Sequence, residues 1–323
     1  MIRPFIKWAG GKTRVLPDLL PHLPKGNCLI EPFVGGASVF LATDYRRYVL
    51  ADINPDLINM YRKATRYPDL VIDTARELFA AKNNIEGYNE VRAAFNKQAG
   101  TAKSGGWGYG AEMAGIMRAA QFLYLNRHGY NGLCRYSRKT GFNVPFGKYK
   151  RVYFPENEVR QFAEKANDTK AIFLCAPFQR SLQIVTGGDT VVYCDPPYLP
   201  ASETADFTQY YGESFLADNH RQLVQALLEV NRKHGANVVI SNSDTEATRE
   251  IYQPFKLHEI TVQRSVSTDK DNRQKAKEVI GVLPVCDCCG RYGGGCPDCG
   301  AVMGDATYNA MVAAGAFDDG EAF

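Results

Sequence analysis

The chain has 323 residues, 45% of them hydrophobic and 23% charged, and carries a formal net charge of +3 from 38 basic and 35 acidic residues. This is the composition of a globular protein with a sizeable core, and it excludes low-complexity and fibrous chains. No apolar run approaches the ~20 residues that span a bilayer, and Met1-Ile2-Arg3-Pro4-Phe5 opens no signal-peptide stretch, so a cytoplasmic protein without membrane attachment is expected.

The first predicted elements are a loop and a short helix. Lys7-Trp8-Ala9-Gly10-Gly11-Lys12-Thr13 precedes a helical stretch through Leu20. Gly-Gly-Lys-Thr invites a phosphate-loop reading, but that motif needs a glycine five positions before Gly11, where Ile6 stands. A tight cationic loop able to hold a carboxylate remains. Next, Cys28-Leu29-Ile30-Glu31 reads as a strand, Pro32-Phe33-Val34-Gly35-Gly36-Ala37-Ser38 as a glycine turn, and the residues from Val39 as a helix. Doubly wound sheets begin their ligand sites this way, because small residues let a ligand approach the backbone. A second strand, Tyr48–Ala51, ends in Asp52. An acid there, about 20 residues beyond the glycine turn, is placed to take ribose hydroxyls, or equally to cap the helix after Asn54-Pro55.

Residues 56–125 read as mainly helical, with Leu57, Ile58, Tyr61, Leu78, Phe79, Val91 and Phe95 as core, and residues 100–111 as a glycine-rich loop. Residues 113–155 then contain no acid, yet carry Arg118, Arg127, Arg135, Arg138, Lys139, Lys148, Lys150 and Arg151 among aromatics. A local field of one sign is the footprint of a polyanion partner, against the blander reading of a solvated surface. Asn131-Gly132 and Lys139-Thr140-Gly141 are turn signals in a hairpin-like finger bearing Arg127, Tyr130, Asn131, Leu133, Arg135, Tyr136, Asn143, Pro145 and Lys148. Arginine and asparagine read base edges, leucine meets a thymine methyl, tyrosine wedges into a stack and lysine seeks phosphate.

From 156 the pattern returns to α/β: a helix, the strand Ala171–Leu174, and the strand Val191-Val192-Tyr193 running into Cys194-Asp195-Pro196-Pro197-Tyr198. Two prolines stiffen the strand exit and leave fixed carbonyl acceptors beside the Asp195 carboxylate, with the Tyr198 ring close by. Acceptors plus a stacking face suit the exocyclic amine of a planar base, though aspartate and proline are also ordinary turn residues. Polar residues 199–215 read as a mobile loop over this site. A helix (218–233), a strand (237–241) and a β pair near 257–266 and 278–283 complete a sheet of about seven strands.

The tail differs in chemistry. Residues 286–323 hold one basic and six acidic side chains, so residues 1–285 carry a net charge of +8. Cys286-x-x-Cys289 and Cys296-x-x-Cys299 lie six residues apart among glycines, the spacing of a four-cysteine zinc ribbon; disulfides are the alternative, disfavoured in a reducing compartment. Acidic surroundings make this module better suited to a protein partner than to phosphate. Cys28, Cys134, Cys175 and Cys194 are scattered and are expected as small buried side chains.

Taken in order, Lys7–Lys12, Glu31–Gly36, Ala51–Asn54, Asn126–Tyr136, Phe142–Gly147 and Asp195–Tyr198 resemble the Dam-type DNA adenine N6-methyltransferases, over roughly residues 2–285. The resemblance implies a Rossmann-like S-adenosylmethionine-dependent α/β sheet with an inserted helical and hairpin target-recognition domain. Catalytic segments would be 1–55 and 156–285, the insertion 56–155, the zinc module 286–300, and 301–323 an acidic flexible tail. Trp8 and Lys12 would contact the methionine part of the cofactor, Phe33 and Gly35 would line it, and Asp52 would hold the ribose. Asp195, also beside the cofactor, and the Pro196 carbonyl would accept the two N6 hydrogens, and Tyr198 would stack on an adenine flipped from duplex DNA. Tyr130, Asn131, Leu133, Arg135 and Pro145 would read the target, GATC. His128 and the glycine-rich 100–111 depart from the family pattern. N4 methylation of cytosine, and DNA binding without catalysis, are the competing functions; a monomer is expected.

Overall fold

In the computed structural model the described residues are 2–97, 109–137, 139–187, 189–199, 209–210, 213–263 and 275–283. The elements in chain order are α1 (Leu16–Leu19), β1 (Cys28–Glu31), α2 (Ser38–Ala42), β2 (Arg47–Asp52), α3 (Pro55–Arg66), α4 (Pro68–Ala81), α5 (Ile85–Lys97) and α6 (Tyr109–His128). Then come β3 (Tyr136–Ser137), β4 (Gly141–Phe142), α7 (Glu156–Asp168), β5 (Ile172–Cys175), α8 (Phe178–Leu182), β6 (Thr190–Cys194), β7 (Gln209–Tyr210) and β8 (Glu213–Ser214). The last are α9 (Ala217–His234), β9 (Asn237–Ser243), α10 (Glu246–Ile251), β10 (Lys256–Gln263) and β11 (Lys275–Val282). The fold class is the expected mixed α/β, Rossmann-like one. Seven of these strands carry the main sheet pairings, parallel for β1–β6, β6–β9 and β2–β5, antiparallel for β9–β11 and β10–β11. The chain divides into two compact units, one of residues 1–17, 33–177 and 207–214, the other of 18–32, 178–206 and 215 onward.

In the first unit, β2 pairs with β5, and an aromatic cluster fills the space beside them. Phe5 meets Phe162 edge-on at 5.0 Å between ring centroids, Tyr61 stacks on Phe162 at 4.9 Å, and Phe40 meets Tyr48 at 4.8 Å. Such edge and offset contacts match the ring quadrupoles and add to the area buried. Asn54 starts α3: its Oδ1 accepts from the amides of Asp56 and Leu57 at 3.0 and 3.2 Å, and Pro55 takes the first helical position, where no amide is needed. The apolar helix α6 packs against α3, α4 and α5 and is the centre of the helical part.

A buried ion pair ties this helical part together. Arg118 Nε lies 2.6 Å from Asp56 Oδ1, Arg118 Nη1 donates to the Phe95 carbonyl at 2.8 Å, and its guanidinium sits 3.9 Å from the Phe95 ring centroid. Tyr136 donates to the other Asp56 oxygen at 2.7 Å. A desolvated pair is tolerated only when its remaining donors and lone pairs are met in this way.

His128, where the resemblance implies another aromatic side chain, packs among aromatic rings. It is fully buried, stacked on Tyr124 at 4.0 Å and edge-on to Phe79 at 4.6 Å, with Nδ1 3.0 Å from the Tyr124 carbonyl. That bond places the proton on Nδ1 and leaves Nε2 without a partner. Burial holds the ring neutral, down at about 4.

In the second unit, β10, β11, β9, β6 and β1 lie in that order. Every residue of β6 and β9 is buried, as expected for strands covered on both faces. Short helices α8 and α10 were not legible as periodic runs. One expectation is corrected here. Cys175 is exposed rather than buried, because β5 ends there, and its Sγ lies 3.8 Å from the Ile53 carbonyl. Residues 100–108, 200–208 and 286–323, on which most of the glycine loop, most of the site loop and the four-cysteine module fall, lie outside the described residues, and the last part of the expected glycine loop, 109–111, is instead the first turn of α6. No helix among the described residues is long and apolar enough to cross a membrane.

Candidate active site

The site residues expected from the sequence fall into three groups. The first surrounds the glycine turn after β1. Gly35 has φ +43, and a Cβ there would stand 2.7 Å from Trp8 Nε1, so both backbone conformation and the indole demand glycine. Its amide donates to Asp52 Oδ2 at 3.2 Å, and its carbonyl accepts from Tyr61 Oη at 2.6 Å. Asp52 Oδ1 accepts from the Asn54 amide at 2.9 Å. Thus Trp8, Gly35 and Asp52 are brought together, with Asn54 rather than Asp52 as the helix cap. Burial raises Asp52 to about 6, against the pull of the amides of Asn54, Gly35 and Ile53. Phe33 is half-buried. Lys12 is buried, and its Nζ donates to the Gly10 carbonyl at 3.2 Å.

These groups fit a nucleoside-bearing cofactor. The turn exposes backbone where a side chain would block it, and the carboxylate keeps lone pairs for hydroxyl donors.

The second group is the acid-free segment. At Asn131 (φ 53) and Gly132 (φ +65) the chain makes a left-handed turn that presses Gly132 against the Lys7 side chain, leaving no room for a Cβ. Tyr130 donates its amide to the Pro145 carbonyl at 2.8 Å, and Asn131 its amide to Tyr149 Oη at 2.9 Å. The hairpin forms at the second turn signal, where Tyr136 pairs with Phe142 and Ser137 with Gly141. Arg135 is fixed by bonds from Nε and Nη2 to Asn143, at 2.8 and 3.2 Å. Tyr130, Asn131, Arg135, Pro145 and Lys148 are exposed, while Leu133 and Asn143 are half-buried. Arg127 and Tyr136 turn inward: Arg127 is only 8% exposed, with Nε 3.3 Å from the Tyr153 carbonyl, and Tyr136 holds Asp56. A pattern of residue types does not tell which way a side chain of the run points.

The third group is the tetrapeptide after β6. The parallel partner β9 ends in Ser241-Asn242-Ser243, all buried. Ser241 Oγ lies 3.0 Å from Asp195 Oδ1 and 2.9 Å from Tyr193 Oη. Leu199 donates its amide to Asn242 Oδ1 at 3.3 Å, and Ser243 Oγ donates to the Leu199 carbonyl at 3.1 Å. From α9, His220 Nε2 reaches the Pro197 carbonyl at 3.1 Å, and its Nδ1 lies 3.0 Å from Tyr252 Oη. A carbonyl accepts only, so Nε2 carries the proton and Nδ1 accepts from the tyrosine. Tyr198 Oη donates to Glu278 Oε2 on β11 at 2.7 Å. Burial, then Asp195 and Glu278, keep the Tyr198 phenol well above its usual range. Ser241, Asn242, His220 and Glu278 escaped the sequence reading. Three consecutive polar residues finishing an apolar strand were the available signal. Among the described residues no cluster of three metal-ligating side chains occurs.

Residues 8–266 match the family described as D12 class N6 adenine-specific DNA methyltransferase. The DNA adenine methylase of Escherichia coli strain K12 is 47% identical over 279 residues, covering 86% of this chain and 94% of that protein. The DNA adenine methylase of Vibrio cholerae O395 is 43% identical over 282 residues, covering 87% and 96%. The retron Ec67 DNA adenine methylase of Escherichia coli is 43% identical over 277 residues, covering 86% and 90%.

His220 yields a pH-dependent prediction. Burial depresses it from 6.5 to about 4 in the folded chain, so between those values the unfolded chain binds the extra proton. Its stabilising contribution is full above pH 6.5 and lost as pH falls toward 4. Urea titrations at pH 7 and pH 5 should show His220→Gln losing less stability on acidification than the wild type, by about 1–2 kcal/mol. Equal losses would refute the assignment of a neutral, bonded His220.

Proposed function

Because this chain belongs to the D12 class of N6 adenine-specific DNA methyltransferases, we propose that it methylates adenine in duplex GATC sites after flipping the base out of the helix. S-adenosylmethionine, when bound, supplies an electrophilic sulfonium methyl group. Trp8, Lys12, Phe33, Gly35 and Asp52 would hold it, with Asp195 nearby. The observation that carries the reading is the held tetrapeptide: Asp195 fixed by Ser241 and Tyr198 fixed by Glu278 at the end of a buried strand.

The chemistry follows from those positions. Asp195 and the Pro196 carbonyl accept the N6 hydrogens, which draws the nitrogen lone pair out of conjugation with the ring and aims it as a nucleophile. Tyr198 offers its face to the flipped base. Positioning and fixed dipoles supply the rate. In this reading residues 56–155 form the DNA-recognition insertion within a catalytic domain of 1–55 and 156–285. Arg127, Tyr130, Asn131, Leu133, Arg135, Tyr136, Asn143, Pro145 and Lys148 build the reading surface, the two inward residues from beneath. The enzyme would act as a cytoplasmic monomer, with the acidic tail meeting a protein partner.

Methyl transfer from labelled S-adenosylmethionine to two duplexes, one with GATC and one with its adenine replaced, tests the target. Label on the GATC duplex alone is expected, and Asp195→Ala should abolish it while leaving DNA binding intact. Equal labelling would discard GATC, label on cytosine would reassign the base, and no label would favour binding without catalysis.

Asp52 gives a second test. Its ionised carboxylate is a stronger hydrogen-bond acceptor than the protonated acid, so S-adenosylmethionine affinity should be constant above pH 7 and fall as the pH drops below 6. Calorimetric titration across that range would show it, and a flat profile would remove Asp52 from the cofactor site.

For the tail, we propose one zinc ion held by Cys286, Cys289, Cys296 and Cys299. Metal analysis of the purified chain should find about one zinc per molecule, lost in a Cys286→Ser, Cys296→Ser double variant. Zinc-free protein, folded and active, would reject the module.

A further inference from the structure

Three of the side chains that hold the tetrapeptide and the residue after it project from one face of the second unit's sheet. Glu278 on β11 sits directly opposite Ser243 on β9, and Ile280 opposite Ser241. Cross-strand partners and residues two apart share a face, so Ser241, Ser243 and Glu278 project together. Each meets a different part of the same segment: Ser241 the Asp195 carboxylate, Ser243 the Leu199 carbonyl, and Glu278 the Tyr198 hydroxyl. His220 adds a bond to the Pro197 carbonyl from α9.

Among these bonds, the one from Tyr198 to Glu278 restrains an aromatic ring. The backbone around Tyr198 is already bonded on both sides, which leaves its two side-chain torsions to be set. A hydrogen bond from the hydroxyl fixes the first torsion, and because a phenol O–H keeps to the plane of its ring, the direction of the acceptor sets the ring plane. The phenol stays protonated, so tyrosine is always the donor and Glu278 the acceptor.

We propose that Glu278 is a positioning residue for methyl transfer: its carboxylate holds the Tyr198 ring in the orientation on which the flipped adenine stacks. This rests on the methyltransferase reading above. Glu278 lies on a strand far along the chain from the tetrapeptide and acts only through the tyrosine. What matters is an acceptor oxygen at that place, not the negative charge.

The test compares Glu278→Ala, Glu278→Gln, Tyr198→Phe and the double variant Glu278→Ala/Tyr198→Phe. Steady-state methylation is measured with the fluorescence of a duplex carrying 2-aminopurine at the target adenine, and with S-adenosylmethionine affinity and melting temperature as controls. Glu278→Ala should lower kcat/KM for the duplex about tenfold to a hundredfold, the range of base–aromatic stacking. The 2-aminopurine signal should change, with cofactor affinity and melting temperature unmoved. Glu278→Gln keeps an acceptor oxygen and should retain activity within about threefold of wild type. Adding Tyr198→Phe to Glu278→Ala should cost nothing more, since both remove one bond.

Full activity in Glu278→Ala overturns the proposal. So does a Glu278→Gln enzyme as impaired as Glu278→Ala, or losses that multiply in the double variant. A wild-type chain that methylates no duplex overturns the underlying reading as well, and that failure is visible before any variant is made.

Discussion

A carboxylate at the end of a buried strand is costly without donors, and at Asp52 and Asp195 this protein supplies them. At the end of β2, Asp52 takes the amides of Gly35 and Asn54. After β6, Asp195 takes the Ser241 hydroxyl from the neighbouring parallel strand. Each acid is thereby aimed. The surrounding structure follows: a glycine turn tight enough to offer an amide, and a buried strand that ends in three polar residues. A sheet whose strand ends lacked these partners would have to bury its acids unpaired or lose them to solvent.

The acid-free segment is built differently. Its exposed tips, Tyr130, Asn131, Arg135, Pro145 and Lys148, stand on residues of the same types that face inward. Arg118 and Tyr136 converge on Asp56, and Arg127 lies against Tyr153. Basic residues here therefore do two jobs, and only some belong to a surface.

How much of this was legible depends on range. Strands β1 and β6 and the glycine turn announced themselves, because apolar runs ending in Glu31 or Asp195 and a Gly35-Gly36 pair are local signals. Of the core residues expected from helical spacing, Leu57, Ile58, Tyr61, Val91 and Phe95 are buried, whereas Leu78 and Phe79 are half-buried. Glu278 was not legible, since nothing in a polar strand residue reveals that a tyrosine 80 positions earlier will reach it. Arg127 and Tyr136 were legible as chemistry but not as direction. His220 is isolated in sequence and acquires its role only when α9 brings it to the Pro197 carbonyl. Helices of five or six residues, such as α8 and α10, are too short to show a period.

The Asp56–Arg118 pair has a consequence for behaviour at high ionic strength. Dissolved ions screen charges across water within roughly 10 Å at 0.1 M, and exposed lysines and arginines facing a polyanion feel that fully. A pair whose side chains are only 8% and 5% exposed does not. Concentrated salt should therefore weaken exposed charge contacts while the helical part built around this pair keeps its shape, because the charges on the surface are not the charges that hold it together.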